Sequence, residues 1–503
     1  MTMRRLNLFA LALVSAVSVL AASSPLADAV EAGDKTAIQT LLKKGTDVNA
    51  TQPDGMTALL WAADRDDLQT AGLLVRAGAN VKATNRWGVT PLSIACEAGN
   101  APMVELFLKA GADPNAVLPG GETVLMTAAR TGGVEMVKSL ISHGANVNAR
   151  EARAGQTALM WAAAEGNTQA VEALLKAGAE FKARENFGFT PLLFAVREGK
   201  PGTVEALLKA GEDPNEIVMP RFRLRQRGAA DRVADISKPG TSALAFAVVN
   251  AHYEVATKLL EAGANPNAMV PGWTALHAIS WIRKPGTGDN QPAPEGSGSM
   301  TSLEMVKQLI DHGANINGRV TRNVNTVLTK LNLKGATAYM LAARTGDAEL
   351  MRYLVKLGAD PKIPNDDNTT PLMAAAGVGT RAPGEDPGTE SESIEAVQVA
   401  LDHGGDINAV DSKGETAMHG AAYKTAPAVV QFLAEKGADV KVWYHKNKQG
   451  WTPLSIAQGF RFDNFIPSPG TETAVRKLMD DAGVAAAENV QFCDHYAKEE
   501  CKK

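Results

Sequence analysis

The sequence predicts an all-α solenoid of about twelve helix–turn–helix units. Three observations lead to this prediction: glycines recur at a spacing close to 33 residues, a threonine-led helix start follows most of them, and aromatic residues make up only 5% of a chain that is 45% hydrophobic. An aliphatic, alanine-rich core suits helices that pack closely on one another. The twelve marker glycines are Gly45, Gly78, Gly111, Gly144, Gly178, Gly211, Gly263, Gly313, Gly358, Gly404, Gly437 and Gly483.

Each marker glycine is predicted to end the second helix of a unit. An aliphatic helical pattern covers residues 104–110 and stops at Gly111, where glycine can take the left-handed conformation that closes a helix. Downstream, a threonine hydroxyl can accept a hydrogen bond from an unpaired N–H of the next helix, and proline suits the first helical position. The clearest helix starts follow Thr57, Thr90, Thr123, Thr157, Thr190, Thr274, Thr370 and Thr452.

These repeated residues resemble the ankyrin-repeat family. The family pattern of Gly-x-Thr-Pro-Leu, Leu-Leu, Gly-Ala and Asn appears, for example, as residues 188–192, Leu207 with Leu208, Gly211 and Asn215. The resemblance implies helix pairs stacked side by side, with β-hairpin fingers between them and a concave surface that binds a partner, usually another protein.

The resemblance covers about residues 25–484, and the glycine spacing divides this range. The first six marker glycines lie 33 or 34 residues apart, whereas later spacings reach 52 residues. The predicted division is a signal peptide at 1–23, regular repeats 1–6 at 25–215, a basic insertion at 216–239, repeats 7–12 with loop insertions at 240–484, and a C-terminal tail at 485–503.

Insertions lengthen the second half of the chain. By register, two lie in the finger position and three lie between the two helices of a unit, where Gly, Pro and Ser are frequent and favour surface loops. The finger insertions cover 216–239 and 318–334, and the inter-helix insertions cover 282–302, 377–393 and 458–470.

The resemblance also indicates which positions face a partner. These are the positions that flank the finger glycine and those that follow the small-residue pair of the first helix. Arginine and aromatic residues occupy many of them, and these types concentrate binding energy at interfaces; the alternative is that the aromatic ones pack finger against finger. The predicted partner-binding residues are Arg65, Arg86, Trp87, Arg130, Phe187, Phe189, Arg197, Trp273, Arg344, Tyr423 and Trp451.

The N-terminus has the pattern of a secretory signal peptide. Arg4 and Arg5 precede an apolar run over residues 6–20, and small residues follow at 21–24. The run is short for a bilayer crossing, and no later apolar segment approaches the roughly 20 residues that a spanning helix needs. We therefore expect export to the periplasm or the extracellular space, without a transmembrane anchor.

Composition and motifs argue against two large classes of function. Lys and Arg total 51 and Asp and Glu total 55, a formal charge of −4, so there is no overall basic excess for nucleic-acid binding. The chain lacks zinc-protease, phosphate-loop, nucleophile-elbow and haem motifs. Repeat register accounts for His277 and His419, and Cys96 has the position of a buried thiol. We expect no enzyme activity, no metal and no cofactor.

Two segments fall outside the repeat pattern. In the basic insertion, Arg221, Arg223, Arg225 and Arg227 alternate with other residues, so an extended backbone would align the four guanidinium groups. They are candidates for contact with an anionic partner or lipid headgroup; the alternative is a solvated hairpin. In the tail, Cys493 and Cys501 are predicted to form a disulfide in an oxidising compartment, which requires a bent tail because a continuous helix would separate them by about 12 Å.

Taken together, the sequence favours an exported, non-enzymatic and monomeric scaffold or adaptor that recognises a partner protein on its concave face. Two other functions stay open. One is a cell-envelope binder of glycans or small ligands that uses the aromatic fingers and inserted loops, and the other is a host-directed secreted effector.

Overall fold

The computed structural model describes residues 24–219, 240–269, 272–285, 293–323, 329–384, 386–461 and 465–485. Across these residues the chain forms 25 α-helices, arranged as twelve successive pairs, here called repeats 1 to 12, and one additional short helix. The predicted helical-repeat fold is confirmed. In the described part of the chain, no helix is long and apolar enough to cross a membrane.

The chain divides into two compact units. Among the described residues, the first comprises residues 24–153, 157–162 and 172–179. Within it, α1, α3, α5 and α7 pack on one another in order, and α4, α6 and α8 form a second layer. The helices of repeats 1 to 4 are α1 (Pro25–Ala32), α2 (Lys35–Lys43), α3 (Ala58–Asp64), α4 (Leu68–Arg76), α5 (Pro91–Ala98), α6 (Ala101–Lys109), α7 (Val124–Thr131) and α8 (Val134–Ser142).

The boundary between the units runs through repeat 5, α9 (Ala158–Glu165) and α10 (Thr168–Lys176). The second unit contains repeats 6 to 12, and its first helices again stack in order. Its helices are α11 (Pro191–Arg197), α12 (Pro201–Lys209), α13 (Ala243–Val249), α14 (Tyr253–Glu261), α15 (Ala275–Arg283), α16 (Ser302–Asp311), α17 (Ala338–Arg344), α18 (Ala348–Lys356), α19 (Pro371–Ala376), α20 (Glu390–Asp402), α21 (Ala417–Tyr423), α22 (Pro427–Glu435), α23 (Val440–Trp443), α24 (Pro453–Ala457) and α25 (Pro469–Asp481).

The helix ends follow the sequence signals. Thr57 caps α3 by accepting a hydrogen bond from the Leu60 N–H (3.2 Å), and Thr90 caps α5 in the same way from Ser93 (3.1 Å). All twelve marker glycines have φ between +67° and +101°. This is the left-handed region in which a side chain other than glycine is strained.

The core lies between the first helices and consists mainly of alanine and leucine. Ala62 and Ala63 of α3, and Ala128 and Ala129 of α7, are completely buried. Small side chains at these positions let neighbouring helices approach closely. Larger aliphatic and aromatic side chains, such as Phe107 of α6, fill the space between the two layers.

A series of asparagine side chains, here called the asparagine ladder, joins neighbouring repeats just after the C-terminal ends of the second helices. The Asn115 side chain donates to the Gly144 carbonyl oxygen (3.1 Å) and accepts from the Asn146 N–H (2.7 Å). Each bond satisfies a backbone group that the helix end leaves unpaired. The same pair of bonds recurs at Asn49, Asn215, Asn267 and Asn408.

The fingers between repeats are narrow loops with little strand structure, and each finger is numbered here by the repeat that it precedes. Among the described residues, isolated antiparallel bridges occur at Thr51 with Thr57 and at Val117 with Thr123, and two more occur in the second unit. Polar side chains close several of the finger tips. At the third finger the Asn85 side chain accepts from the N–H groups of Trp87 and Val89, both at 3.0 Å.

The inter-helix inserts of the second unit fold back over earlier repeats. In the repeat 8 insert, Ser297 donates to the Gly199 carbonyl oxygen of repeat 6 (3.3 Å). At the start of α20, Glu392 forms an ion pair with Lys284, which belongs to repeat 8. The Lys284 ammonium and the Thr389 cap lower the pKa of Glu392 to about 2. Composition indicates only surface loops at these inserts. Their described parts in fact form bonds to earlier repeats.

Candidate functional site

Six of the eleven predicted partner-binding side chains lie at the surface. The exposed aromatic ones are Trp87, with 52% of its surface accessible, and Phe187, with 59%. The first unit therefore carries four exposed candidates and the second unit carries two. The exposed residues are Arg65, Arg86, Trp87, Arg130, Phe187 and Arg197.

The third finger presents an arginine–tryptophan pair. The Arg86 guanidinium carbon lies 4.1 Å from the centre of the Trp87 ring, which is the geometry of a cation–π contact. The Arg86 N–H also donates to the Asp54 carbonyl oxygen of the preceding finger (2.9 Å). The backbone N–H groups of Arg86 and Trp87 are both hydrogen-bonded, so the pair is held in position without a partner.

Arg65 directly follows α3, the first helix of repeat 2, and Arg130 lies in the last turn of α7, the first helix of repeat 4. Arg65 donates to the Glu31 carbonyl oxygen of repeat 1 (2.9 Å), and Arg130 lies 4.0 Å from a Glu97 carboxylate oxygen. An exposed ion pair such as that of Arg130 contributes little to folding stability. These guanidinium groups therefore offer charge and hydrogen bonding at the surface of the first unit.

Five other predicted contact residues are buried, which corrects the expectation that they face a partner. The aromatic ones fill the space between finger and first helix: the Trp273 ring packs edge-on against Trp281 at 5.3 Å, and Phe189 lies 5.5 Å from Phe194. Arg344 lies 3.8 Å from Asp386 of the repeat 10 insert. The buried residues are Phe189, Trp273, Arg344, Tyr423 and Trp451.

Tyr423 belongs to a buried polar cluster. Its hydroxyl donates to the Glu415 carboxylate (3.0 Å), and the Asn447 side-chain amide donates to both groups (3.1 and 3.0 Å). Burial, together with the nearby Asp411 charge, raises the pKa of Glu415 to about 7. The cluster ties finger to helix inside the second unit and leaves Tyr423 no surface for a partner.

Arg197 is exposed but is also engaged. Its guanidinium carbon lies 4.9 Å from the centre of the Phe194 ring and 5.5 Å from that of Phe189, and its Nε lies 2.7 Å from a Glu198 carboxylate oxygen. Arg197 therefore covers aromatic rings of its own repeat. The exposed candidates of the first unit make the better partner surface.

The two histidines at helix starts are structural. His277 accepts from the Thr274 N–H at Nδ1 (3.1 Å), and its Nε2 lies 3.0 Å from the Gly318 carbonyl oxygen. Burial lowers the pKa of His277 to about 4 and, together with the His445 charge, that of His419 to about 3. Both rings are neutral at physiological pH and hold helix starts to the next finger.

Sequence reasoning missed a charged network at the turn of repeats 8 and 9. The Arg283 guanidinium contacts both carboxylate oxygens of Asp347 (2.6 and 3.3 Å), the Glu349 carboxylate (2.6 Å) and the Ser302 hydroxyl (2.6 Å). Asp347 is 1% exposed. The spacing between these residues is irregular, so no repeat pattern identifies their contact.

Glu212 is a second residue that the sequence analysis did not single out. It follows Gly211 at a position that is alanine in several other repeats, for example Ala112 and Ala145. Glu212 is 5% exposed, and its Oε1 has no hydrogen-bond partner. A departure from the Gly-Ala pattern is the signal that could have found it.

Several predictions concern metals, thiols and segments outside the described residues. Where the structure is described, no three or more His, Cys, Asp or Glu side chains cluster as a metal site. Burial raises the pKa of the Cys96 thiol to about 12. The predicted anion contacts and disulfide stay predictions, because Arg221, Arg223, Arg225, Arg227, Cys493 and Cys501 lie outside the described residues.

Two curated relatives are similar to parts of the chain. The B-cell lymphoma 3 protein homolog of Mus musculus is 29% identical over 233 residues, 46% of this chain and 43% of that protein. Alpha-latroinsectotoxin-Lt1a of Latrodectus tredecimguttatus is 30% identical over 156 residues, 31% of this chain and 9% of that protein. The chain thus spans less than half the length of either relative.

The repeat geometry matches a known family. The profile described as "Ankyrin repeats (3 copies)" matches residues 26–118, 125–218, 298–381 and 389–466, together more than half of the chain. These segments contain the capped helix pairs and glycine-ended second helices described above. The chain therefore belongs to the ankyrin-repeat family.

Proposed function

We propose that this protein is an exported, non-enzymatic scaffold or adaptor that binds a partner protein through the exposed arginine and aromatic side chains of its first unit. Ankyrin repeats generally mediate protein–protein interaction. The observation that supports the proposal most is the Arg86–Trp87 pair, an exposed cation–π contact on a fixed finger. Arginine and tryptophan are the residue types that dominate binding energy at interfaces.

The protein is proposed to act as a monomer without a cofactor. The candidate surface offers a partner the face of the Trp87 ring and the guanidinium groups of Arg65 and Arg86. The backbone that carries Arg86 is hydrogen-bonded to the neighbouring finger. None of these contacts requires a bound ion. Recognition by such a surface depends on shape and on the fixed positions of a few side chains.

Binding is tested by the variant R86S/W87S/R130S. We expect partner capture to weaken by about 2 kcal/mol or more, roughly thirtyfold, because three surface anchors are lost while capping threonines and marker glycines stay intact. The measurement is cross-linking of the tagged mature protein in its own envelope, followed by mass spectrometry and titration of the captured partner.

The matched control is R76S/K109S/K138S, which removes three exposed cations from the second helices of the same unit. It should capture the partner like the parent protein. Equal capture by both variants, with unchanged circular dichroism melts, would place the interface elsewhere. A protein partner should also survive glycosidase treatment of the extract.

Export is the second part of the proposal. The arginine pair, the apolar run over residues 6–20 and the small residues after it predict cleavage near residue 22. We expect N-terminal sequencing of protein from the envelope fraction to find a chain that starts between Ala22 and Pro25. A chain that still begins at Met1 or Thr2 in that fraction contradicts export by this signal.

One observation favours the alternative of a glycan or small-ligand binder. A cleft of about 350 Å³ lies between the repeat 8 insert and the turns of repeats 7 and 8, lined by Tyr253, Ile282, Arg283, Glu295 and Met300 among others. Its volume is at the lower end of the range for ligand pockets. Loss of capture after glycosidase treatment would favour this function over a protein partner.

A further inference from the structure

Among the described residues, the twelfth finger of the second unit carries two lysines without a carboxylate partner, beside a third lysine on the eleventh finger. Lys446 and Lys448 are exposed at the tip of the twelfth finger. Within the described part of the chain, neither forms an ion pair with a carboxylate. Lys413, on the eleventh finger, does pair with Asp367 of the tenth finger (2.8 Å).

The backbone fixes these lysines next to one another. The Lys448 N–H donates to the Lys413 carbonyl oxygen (2.8 Å), so the two fingers meet at their tips. Between Lys446 and Lys448, the Asn447 side chain points inward and donates to Glu415 (3.1 Å) and to the Tyr423 hydroxyl (3.0 Å). The finger that carries both lysines is therefore anchored in the core.

A second contact holds the same finger. The Nε2 atom of His445 lies 2.8 Å from the Gly414 carbonyl oxygen of the eleventh finger, and its Nδ1 lies 2.6 Å from the Val442 carbonyl oxygen. The residue directly before Lys446 is thus tied to both fingers. Because the finger backbone is already held in place, a ligand loses little binding free energy in ordering it.

The Asp367 carboxylate lies close to lysines of both fingers. Burial alone would raise the pKa of Asp367, but hydrogen bonds from Lys413 and Asn332 and the charges of Lys413 and Lys448 lower it. The ammonium groups of Lys413 and Lys448 therefore both act on the Asp367 carboxylate, and Lys446 lies two residues before Lys448 on the same finger. The formal charge of the chain is −4, so this cationic edge is a local feature.

We propose that the lysine edge, defined as Lys413, Lys446 and Lys448, binds an acidic, extended segment of a protein. Carboxylate side chains along such a segment complement ammonium groups carried on adjacent fingers. The binding is electrostatic and therefore weakens as salt rises. This surface is separate from the first-unit surface and carries its own partner.

The test uses the full mature chain and a fluorescent octaglutamate peptide as the probe. The background carries R221Q/R223Q/R225Q/R227Q, so that the other basic segment does not contribute. We expect anisotropy titrations at about 50 mM NaCl to show binding that K446Q/K448Q weakens roughly tenfold, and that fades towards about 300 mM NaCl.

The matched control is K307Q/K477Q, which removes two exposed lysines from second helices of the same unit with the same change in net charge. Less than a twofold effect in this control supports the lysine edge. Equal weakening by both variants, or no measurable peptide binding, overturns the proposal. Binding to phosphatidylglycerol vesicles without binding to the peptide also overturns it and assigns the edge to a lipid surface.

Discussion

Replacing Asp347 by alanine is expected to lower the free energy of unfolding of the second unit by roughly 3 to 5 kcal/mol. The substitution leaves the Arg283 guanidinium, whose side chain is only 16% exposed, without its buried partner. Burial opposes the charge of Arg283, and its pKa is nevertheless raised by the hydrogen bonds and charges of Asp347 and Glu349. The same carboxylate also caps α18 by accepting from the Leu350 N–H (3.0 Å).

The measurement is chemical denaturation combined with amide hydrogen exchange of α15 and α18. Glu349→Ala provides the control, because Glu349 contacts the same guanidinium at 2.6 Å but is 69% exposed. We expect that control to cost about 1 kcal/mol or less. Similar losses for the two variants would show that burial of the Asp347 pair does not determine stability here.

Replacing Glu212 by alanine is expected to stabilise the second unit, by at most about 3 kcal/mol at pH 8. Burial, reinforced by the Glu216 charge, raises the pKa of Glu212 from 4.5 to about 7, against the opposing charges of Lys182 and Arg184. Alanine removes a carboxylate whose Oε1 is unpaired and restores the residue present at this position in several other repeats.

The raised pKa of Glu212 determines how the stability gain of Glu212→Ala depends on pH. Because the pKa is raised in the folded state, the protonated form contributes stability fully below pH 4.5, and this contribution is lost as pH rises through 7. The gain from Glu212→Ala should therefore be larger at pH 8 than at pH 5. Glu435→Ala, at an exposed position on α22, is the control and should show no such trend. A destabilised Glu212→Ala variant at pH 8 would contradict the argument.

The sequence predicts the repeat architecture well because its signals are local. A glycine such as Gly111 ends a helix through its own backbone conformation, and a threonine such as Thr57 starts one through a bond three residues away. Neither outcome depends on distant parts of the chain. The count of twelve units and the helix starts follow from such signals alone.

The candidate surface is less predictable, because exposure depends on what packs from another segment. Arg130 and Tyr423 each directly follow a small-residue pair in a first helix, yet Arg130 is exposed and Tyr423 is buried. The difference arises from Glu415 and Asn447, which lie on two fingers and bond to the tyrosine hydroxyl. Repeat register identifies the position but not the partner that covers it.

The ion pair between Lys284 and Glu392 bears on how repeats can be gained or lost. In the first unit neighbouring repeats meet through the same stacking of first helices, with asparagine bonds between repeats 1 and 2 and between repeats 3 and 4, so duplication or deletion of one 33-residue block preserves most of these contacts. In the second unit a side chain of repeat 8 reaches past repeat 9 to repeat 10. Excision of repeat 9 would change the distance between Lys284 and Glu392 and break this ion pair. We therefore expect single repeats to be exchanged more readily in the first unit than among repeats 8 to 10.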